Sequence, residues 1–222
     1  MSQDRFIFET VDFQDQAITI NTYANTYNAQ CNAAVTGNTF KYASDYDRMK
    51  SLIGTNGKPR TSGYYDGLYA SLYAITVTNP TVPSSNGPGN SGWGRQLWSG
   101  PLNPVLINDA YLQAKGGQTD YVGVQIGGYL YSPVATTTTL QTTSDDGVVV
   151  FFNGTKVIDN WSYHGPTTDT SATLTVNAGY NPIRILYFEG TVTSQFEFLY
   201  RLSNGPYTGN LGCVFYYNYN QL

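Results

Sequence analysis

Two adjacent carboxylates are the most chemically suggestive feature of the sequence. Asp145 and Asp146 stand between Ser144 and Gly147 in a short polar stretch that follows a Thr-rich segment. The two acids of a glycosidase lie about 5–10 Å apart, so neighbouring residues suit metal ligation better than a division of labour between acid and base. The alternative is a simple hairpin turn, because Asp-Gly is favoured in turns and Asp accepts backbone hydrogen bonds there.

The sequence argues against catalysis that depends on histidine. His164 is the only histidine in the chain, so a Ser-His-Asp triad, a histidine-rich zinc site or a general base would all have to use it. No nucleophile motif such as Gly-x-Ser-x-Gly accompanies it, and no phosphate-cradling loop is recognisable. We therefore expect the protein not to be an enzyme.

The composition limits the class of protein and its partners. Charged residues make up 12% of the 222 residues, while Gly (23) and Tyr (20) are abundant, which is typical of short strands joined by polar turns. The net charge of −4 gives no reason to bind phosphate backbones, so nucleic acid is not an expected partner. No apolar run is long enough to cross a bilayer, and the start of the chain lacks the apolar core of a secretory signal.

Alternation of apolar and polar residues with period two predicts β-strands. The apolar run Val148–Phe152 predicts a central strand, and Asn153 and Gly154, which tolerate positive φ, predict a tight turn back to Lys156–Ile158. A long loop is expected at Asn79–Gly94. Further strands are predicted at Gly67–Tyr73, Tyr121–Tyr131, Thr136–Thr143, Ala172–Val176, Ile183–Phe188 and Phe196–Leu202. The fold class is therefore all-β, an antiparallel two-sheet β-sandwich.

The sandwich is predicted to occupy residues 63–205. Residues 1–62 form an N-terminal extension of unknown role, and residues 206–222 form a C-terminal tail that is expected to pack on the extension. Cys31 and Cys213 lie near opposite ends of the chain. Two interpretations stay open for them: a disulfide that ties the extension to the tail, or two buried free thiols.

Several short strings, taken in their order and spacing, resemble the protective-antigen (PA14) domain family and the related flocculin and adhesin-type lectin domains. The strings are Gly67–Ala70, Gly128–Leu130, Thr142–Gly147, Phe152–Gly154, Val157–Trp161, His164–Gly165, Ala178–Tyr180 and Pro182–Glu189. The family is found in toxins, glycosidases, bacterial surface proteins and yeast adhesins. The resemblance implies a jelly-roll-like β-sandwich.

The resemblance also implies a calcium site. In sugar-binding members, two aspartates joined by a cis peptide bond coordinate one calcium ion, which places Asp145 and Asp146 in that role. A second calcium loop is implied after the strand Ile183–Phe188, where Glu189 and Thr191 would join the ligand set. Calcium takes about six to eight oxygen ligands, so sugar hydroxyls can fill positions that the protein leaves open.

Carbohydrate contacts are implied for the two aspartates, for Thr191 and Val192 in the second loop, and for Trp161 and His164. Trp161 and His164 have two interpretations: they stack on a sugar ring and donate a hydrogen bond to it, or Trp161 packs under the loop. The loop from Glu189 departs from the flocculin pattern, in which an asparagine and an aromatic residue are expected. The identity of the sugar is therefore not implied.

The predicted function is a calcium-dependent carbohydrate-binding module, lectin-like or adhesin-like, whose partner is a glycan at the extracellular surface of a cell or virion. A function of another class stays open: a minor capsid, fibre or surface-layer subunit that uses the sandwich as a spacer. The Met1 start, the lack of a signal and the tyrosine-rich tail favour that assembly role, with copies of the chain or other capsid proteins as partners. An accessory module of a glycosidase is a third interpretation.

Overall fold

The computed structural model describes residues 64–83, 92–132, 135–209, 211 and 214–218. These residues form thirteen strands and one short helix. The strands are β1 Tyr64–Asp66, β2 Leu68–Ile75, β3 Trp93–Leu102, β4 Leu106–Asn108, β5 Val122–Ser132, β6 Thr136–Asp145, β7 Val148–Phe152, β8 Thr155–Asn160, β9 Thr167–Thr170, β10 Leu174–Val176, β11 Gly179–Glu189, β12 Gln195–Leu202 and β13 Phe215–Asn218, and the helix is α1, Asp109–Gly116.

The strands form two antiparallel sheets. Within the described ranges, the larger sheet has eight strands in the order β1-β13-β5-β11-β7-β8, with β2 paired to β5 and β3 paired to β2. The smaller sheet has five strands in the order β10-β6-β12-β4, with β9 paired to β6. The prediction of an all-β fold with two antiparallel sheets is confirmed.

The core lies between the inner faces of the two sheets. In β5 the buried side chains of Val122, Val124 and Ile126 recur at every second position, and in β12 Phe196 and Phe198 do the same from the opposite sheet. All five are fully buried, and each such side chain stabilises the fold by about 1.5–3 kcal/mol. This spacing of apolar core side chains at every second position fixes which residues face inward and therefore constrains the register of each strand.

Local sequence signals located several elements correctly. Strand β7 has the predicted bounds, Val148–Phe152, and lies in the larger sheet between β8 and β11. Asn153 and Gly154 have φ values of 49° and 77°, and Phe152 pairs with Thr155 across them. The predicted tight turn between β7 and β8 is confirmed.

The structure differs from the prediction at two strands. Strand β3 begins at Trp93, inside the expected loop at Asn79–Gly94, and pairs along its length with β2. Strand β13 comes from the predicted tail, and its Phe215 is fully buried in the core, because the strand pairs with β5 and β1 of the larger sheet. The predictions for residues 1–62, for the tail's packing on them and for the two cysteines lie outside the described residues.

The helix is short and well defined at both ends. The side chain of Asn108 accepts a hydrogen bond from the backbone N–H of Tyr111 and so caps α1, while Gly117 ends it with a φ of 75°. Helix α1 places Asp109, the first residue after the cap, beside the end of the sandwich where β6 and β12 meet. Among the described residues, no helix has the length and apolar character that a membrane crossing requires.

Candidate functional site

The candidate site lies where the chain twice crosses from one sheet to the other. Residues 146 and 147 connect β6 of the smaller sheet to β7 of the larger sheet, and residues 190–194 connect β11 of the larger sheet to β12 of the smaller one. We call the second connection the β11–β12 loop. Asp145 pairs with Gln195, and Tyr187 pairs with Val148. These two registers bring both crossings to the same end of the sandwich.

Three carboxylates converge at these crossings. Asp145 ends β6, Asp146 follows it, and Glu189 ends β11. One oxygen of each carboxylate lies within 4.8 Å of the others. The Asp145–Asp146 peptide bond is cis. The structure therefore brings together three of the four residues predicted to bind a metal.

Asp146 is held by backbone N–H groups from both sides. Its Oδ1 accepts a hydrogen bond from the backbone N–H of His164 at 3.0 Å, and its Oδ2 accepts one from Gly190 at 2.9 Å. A carboxylate offers about four lone-pair positions, so these two bonds leave acceptor capacity for a further contact. The side chain is 6% exposed, and its orientation is therefore fixed by the protein.

Tyr187 supports the other two acids from within the core. Its single O–H is shared between two acceptors, the backbone carbonyl oxygen of Asp145 at 2.7 Å and Oε2 of Glu189 at 3.2 Å. Its ring stacks on Phe196, with centroids 4.9 Å apart. A buried tyrosine of the core thus contacts the backbone of Asp145 and the carboxylate of Glu189.

Glu189 combines complete burial with an unused oxygen. The residue is fully buried, and its Oε1 has no hydrogen-bond partner in the part of the chain that the structure describes. Burial, with a further contribution from the charge of Asp146, raises the pKa of Glu189 to about 8. Burial also raises the pKa of Asp145, and the neighbouring Asp146 adds to the effect. The cluster therefore favours protonation or a cation.

The donor set fits a hard divalent cation such as calcium. All three convergent side chains offer carboxylate oxygens, which are the ligands that calcium prefers. The buried, unpartnered Oε1 of Glu189 is the kind of group that an ion satisfies, because a buried polar atom without a partner is unfavourable. Asp145, Asp146 and Glu189 could hold such an ion together.

Trp161 is placed as a packing residue. Its indole N–H donates to the carbonyl of Pro80 at 2.7 Å, and its ring stacks on Trp93 at 6.4 Å and meets Phe188 edge-on at 4.8 Å. This arrangement agrees with the second interpretation, in which Trp161 packs beneath the loop. A sugar contact through its half-exposed edge stays a prediction.

His164 serves the site through its backbone. Its N–H holds Asp146, while Nδ1 lies 2.8 Å from the carbonyl oxygen of Gly165. The Nδ1 atom donates there, because a carbonyl oxygen can only accept. Nε2 is buried and has no partner among the described residues. A hydrogen bond donated by this ring to a sugar stays a prediction.

The predicted second loop forms the rim of the site. Thr191 and Val192 are exposed, and Val192 is 83% exposed with a φ of 91°. Neither side chain belongs to the group of three convergent acids, so their roles toward calcium or a sugar stay predictions. Gly190, at the base of the loop, packs closely against Asp146. A Cβ added to Gly190 would lie only 3.1 Å from Oδ2 of Asp146.

Sequence reasoning missed three residues of the site. The sequence predicts only a strand for Tyr187, although a tyrosine in a buried position needs a partner for its hydroxyl. Asp109 and Ser194 carry no local motif, and their side chains meet across 85 positions of sequence. The Asn108-Asp109 pair was a usable signal, because Asn and Asp are favoured where helices begin.

Comparison with known families finds one family model that matches part of the chain. Residues 103–209 match the family model of the PA14 domain. This range contains all three convergent acids and the whole β11–β12 loop. The predicted resemblance to PA14 domains is confirmed. No curated protein matches the chain.

Solved structures share the fold. An anti-sigma factor domain-containing protein has a TM-score of 0.56 at 17% identity over 71% of this chain. The PA14 domain of the MpAFP antifreeze protein has a TM-score of 0.52 at 18% identity, covering 70% of this chain and 92% of that one. The epithelial adhesin 9 A domain of Candida glabrata, solved in complex with Galb1-3GlcNAc, has a TM-score of 0.51 at 15% identity. The match covers 71% of this chain and 91% of that one. The chain spans about half the length, 50% and 47%, of the two anti-sigma factor proteins that it matches.

Proposed function

We propose that this PA14-like chain is a calcium-dependent carbohydrate-binding module that acts at an extracellular surface. The observation that carries the proposal is the convergence of Asp145, Asp146 and Glu189 within 4.8 Å. Glu189 adds a buried oxygen with no hydrogen-bond partner among the residues described. A cation would neutralise the mutual repulsion of the acids and satisfy that oxygen.

Each part of the site has a defined task in this proposal. The three carboxylates would hold the ion, and Thr191 would add an oxygen from the β11–β12 loop. When bound, calcium would offer open coordination positions to two neighbouring hydroxyls of a sugar. The backbone N–H groups of His164 and Gly190 orient Asp146. Tyr187 contacts the backbone of Asp145 and the carboxylate of Glu189. These contacts hold the ligands near their positions before the ion arrives.

A binding role is favoured over a catalytic one. The convergent acids are close enough to share one ion, whereas hydrolysis of a glycosidic bond uses two acids about 5–10 Å apart with separate tasks. A likeness of fold supports the choice of ligand: the adhesin A domain named above was solved in complex with Galb1-3GlcNAc. The extracellular location follows from the proposed ligand, since surface glycans are displayed outside cells.

Calorimetry with calcium alone, followed by a glycan array with and without a chelator, tests the proposal. We expect the full chain to bind calcium and to bind glycans only in its presence. Asp145→Asn keeps the size of the side chain and removes one charged ligand, so it should abolish both signals. Glycan binding that survives chelation, or that survives Asp145→Asn, would contradict the mechanism.

A matched control is available at Asp159. This aspartate lies in β8, forms an exposed ion pair with Lys156, and is not one of the convergent acids. Exposed ion pairs contribute little to stability, typically about 0–1 kcal/mol. Asp159→Asn removes the same charge from the same protein, and we expect it to leave calcium and glycan binding unchanged.

A further inference from the structure

Asp109 and Ser194 are joined by two short hydrogen bonds at the edge of the site. Oδ1 of Asp109 accepts from the backbone N–H of Ser194 at 2.8 Å and from its hydroxyl at 2.6 Å. Ser194 is 3% exposed and is the last residue of the β11–β12 loop. A single carboxylate oxygen on helix α1 therefore fixes the end of that loop.

The start of the same loop is fixed independently. The N–H of Gly190 donates to Asp146, and its carbonyl oxygen accepts from the N–H of Tyr121 at 2.8 Å. Between the two anchors, residues 191–193 are exposed, and Val192 has a positive φ of 91°. A β-branched residue holds such a backbone conformation only where the surrounding structure imposes it.

We infer that Asp109 is a positioning residue for the acidic cluster: by holding Ser194, it keeps the β11–β12 loop beside Asp145, Asp146 and Glu189. The inference rests on the proposed function where it concerns calcium, but the hold on the loop does not depend on any ligand. A loop fixed at both ends presents its oxygens to an ion without first having to be ordered. Without the hydrogen bonds at Ser194, the C-terminal end of the loop is held only by its covalent connection to β12.

A purely electrostatic role for Asp109 has to be separated from the positioning role. The negative charge of Asp109 is close enough to contribute to the raised pKa of both Asp145 and Glu189. Asp109→Asn removes the charge but keeps an oxygen that can accept both hydrogen bonds from Ser194. Asp109→Ala removes the charge and the acceptor together. The two variants therefore share the loss of charge and differ in whether the hydrogen bonds from Ser194 can form.

Hydrogen exchange of the full chain tests the hold on the loop without calcium. In Asp109→Ala we expect the hydrogen-bonded amides of Gly190 and Ser194 to exchange faster by about tenfold or more, because Ser194 loses the acceptor of both its hydrogen bonds and the loop loses an anchor. The amides of the central strands β5 and β11 should keep their protection. Asp109→Asn should exchange like the wild type. Unchanged exchange of the loop in Asp109→Ala overturns the inference.

Calcium titration by calorimetry, with the metal as the only ligand, tests the link to the site. Loss of an outer-shell partner typically weakens metal binding by about 10- to 100-fold, so Asp109→Ala should bind calcium at least about tenfold more weakly than Asp109→Asn. If both variants bind calcium equally weakly, Asp109 acts on the site through its charge, and the positioning role is overturned. If the loop exchanges faster but the calcium affinity is unchanged, the position of the loop does not affect the site. That result would also overturn the positioning role.

The two hypotheses fail in different ways. If the wild-type chain binds no calcium, the proposed function fails, and hydrogen exchange still decides whether Asp109 holds the loop. If the wild type binds calcium and Asp109→Ala behaves like the wild type in both measurements, the proposed function stands and the positioning role fails. Ser194→Ala keeps the backbone hydrogen bond and removes only the one from the hydroxyl. We expect it to fall between the wild type and Asp109→Ala.

Discussion

The ring of Tyr163 covers Gly190 so closely that a Cβ added to Gly190 would lie 2.1 Å from Cε1 of the ring. The ring is held from two other directions. Its hydroxyl donates to the carbonyl oxygen of Thr78, and Phe188 packs edge-on against it with centroids 5.2 Å apart. The β11–β12 loop thus begins beneath an aromatic side chain that has little freedom to move.

Gly190→Ala should therefore destabilise the protein and weaken calcium binding together. The added methyl group has to displace Tyr163 or the loop, and overpacking of this kind typically reduces stability by about 1–3 kcal/mol. Displacement of the loop would also break the hydrogen bond from Gly190 to Asp146. Thermal unfolding and calcium calorimetry measure the two effects.

Gly165→Ala is the matched control for that substitution. No atom lies within 4 Å of a Cβ added at Gly165, and its φ is not positive. We expect its Tm and its calcium affinity to equal those of the wild type. If Gly190→Ala is as stable as Gly165→Ala, the close contact between Tyr163 and Gly190 is not maintained in solution.

Tyr187→Phe tests the support of the acidic cluster from the core. The substitution keeps the ring stacked on Phe196 but removes the hydroxyl that donates to Asp145 and Glu189. Leaving buried acceptors unsatisfied lowers stability by about 1–3 kcal/mol. We expect a lower free energy of unfolding in denaturant titrations and a weaker affinity for calcium.

Tyr111→Phe removes the same hydroxyl group, but here we expect no loss of stability. The hydroxyl of Tyr111 is buried and has no partner in the described ranges, and burial raises its pKa to about 12. Removal of a polar atom that makes no hydrogen bond is neutral or stabilising. A stability loss at Tyr111 as large as at Tyr187 would show that the loss comes from packing and not from the hydrogen bonds.

The stability of the metal-free protein should fall as the pH rises. The pKa of Glu189 is about 8 in the folded chain, against an ordinary value of 4.5. Between these values the folded state keeps a proton that the unfolded state has released, so increasing pH favours unfolding. In the presence of a chelator, Tm should therefore decrease between about pH 5 and about pH 8.

Two comparisons isolate the contribution of Glu189. Glu189→Gln cannot titrate, so its Tm should vary less over the same pH range, although Asp145, whose pKa is also raised, still contributes near the acidic end. Calcium should remove the decrease in the wild type, because the ion favours the ionised form of Glu189. An equal decrease in Glu189→Gln would assign the pH dependence to other groups.

The parts of the fold that local sequence predicts are those governed by neighbouring residues. The five apolar residues of β7 and the Asn153-Gly154 turn need no distant information, and both are found where they were expected. Strand β3 was missed because Gly94, Gly100 and Pro101 interrupt its pattern. Within the described ranges it pairs with β2 alone, and buried and exposed residues do not alternate regularly along it. Its identity as a strand therefore depends on pairing with β2.

The candidate site also has residues that the local sequence predicts and residues that it does not. Asp145 and Asp146 were found because they are adjacent, and Glu189 because a resemblance to a family placed it after a strand. The hydrogen bonds from Ser194 to Asp109 join residues that are 85 positions apart. Such a contact follows from the two crossings between sheets and from the position of α1, neither of which is encoded by a local pattern. Long-range polar contacts of this kind therefore require the structure.

Val192→Gly should stabilise the chain without affecting calcium binding. Val192 has a φ of 91° and is 83% exposed, so its side chain contributes little packing while its backbone is strained by about 1–3 kcal/mol. Glycine adopts this conformation freely, although it also increases the conformational entropy of the unfolded chain by an amount worth about 0.4–1 kcal/mol. The expected net gain is therefore about 1 kcal/mol, measured as a higher Tm.

Val192→Ala separates the backbone from the side chain. Alanine keeps a Cβ at positive φ, so the strain stays and Tm should not rise as it does with glycine. Both substitutions remove the isopropyl group, so if Val192 touches a bound sugar, both should weaken glycan binding equally while calcium affinity stays unchanged. A lower Tm in Val192→Gly would mean that the loop does not hold residue 192 at positive φ, and the anchoring of the loop at Gly190 and Ser194 would then have to be reconsidered.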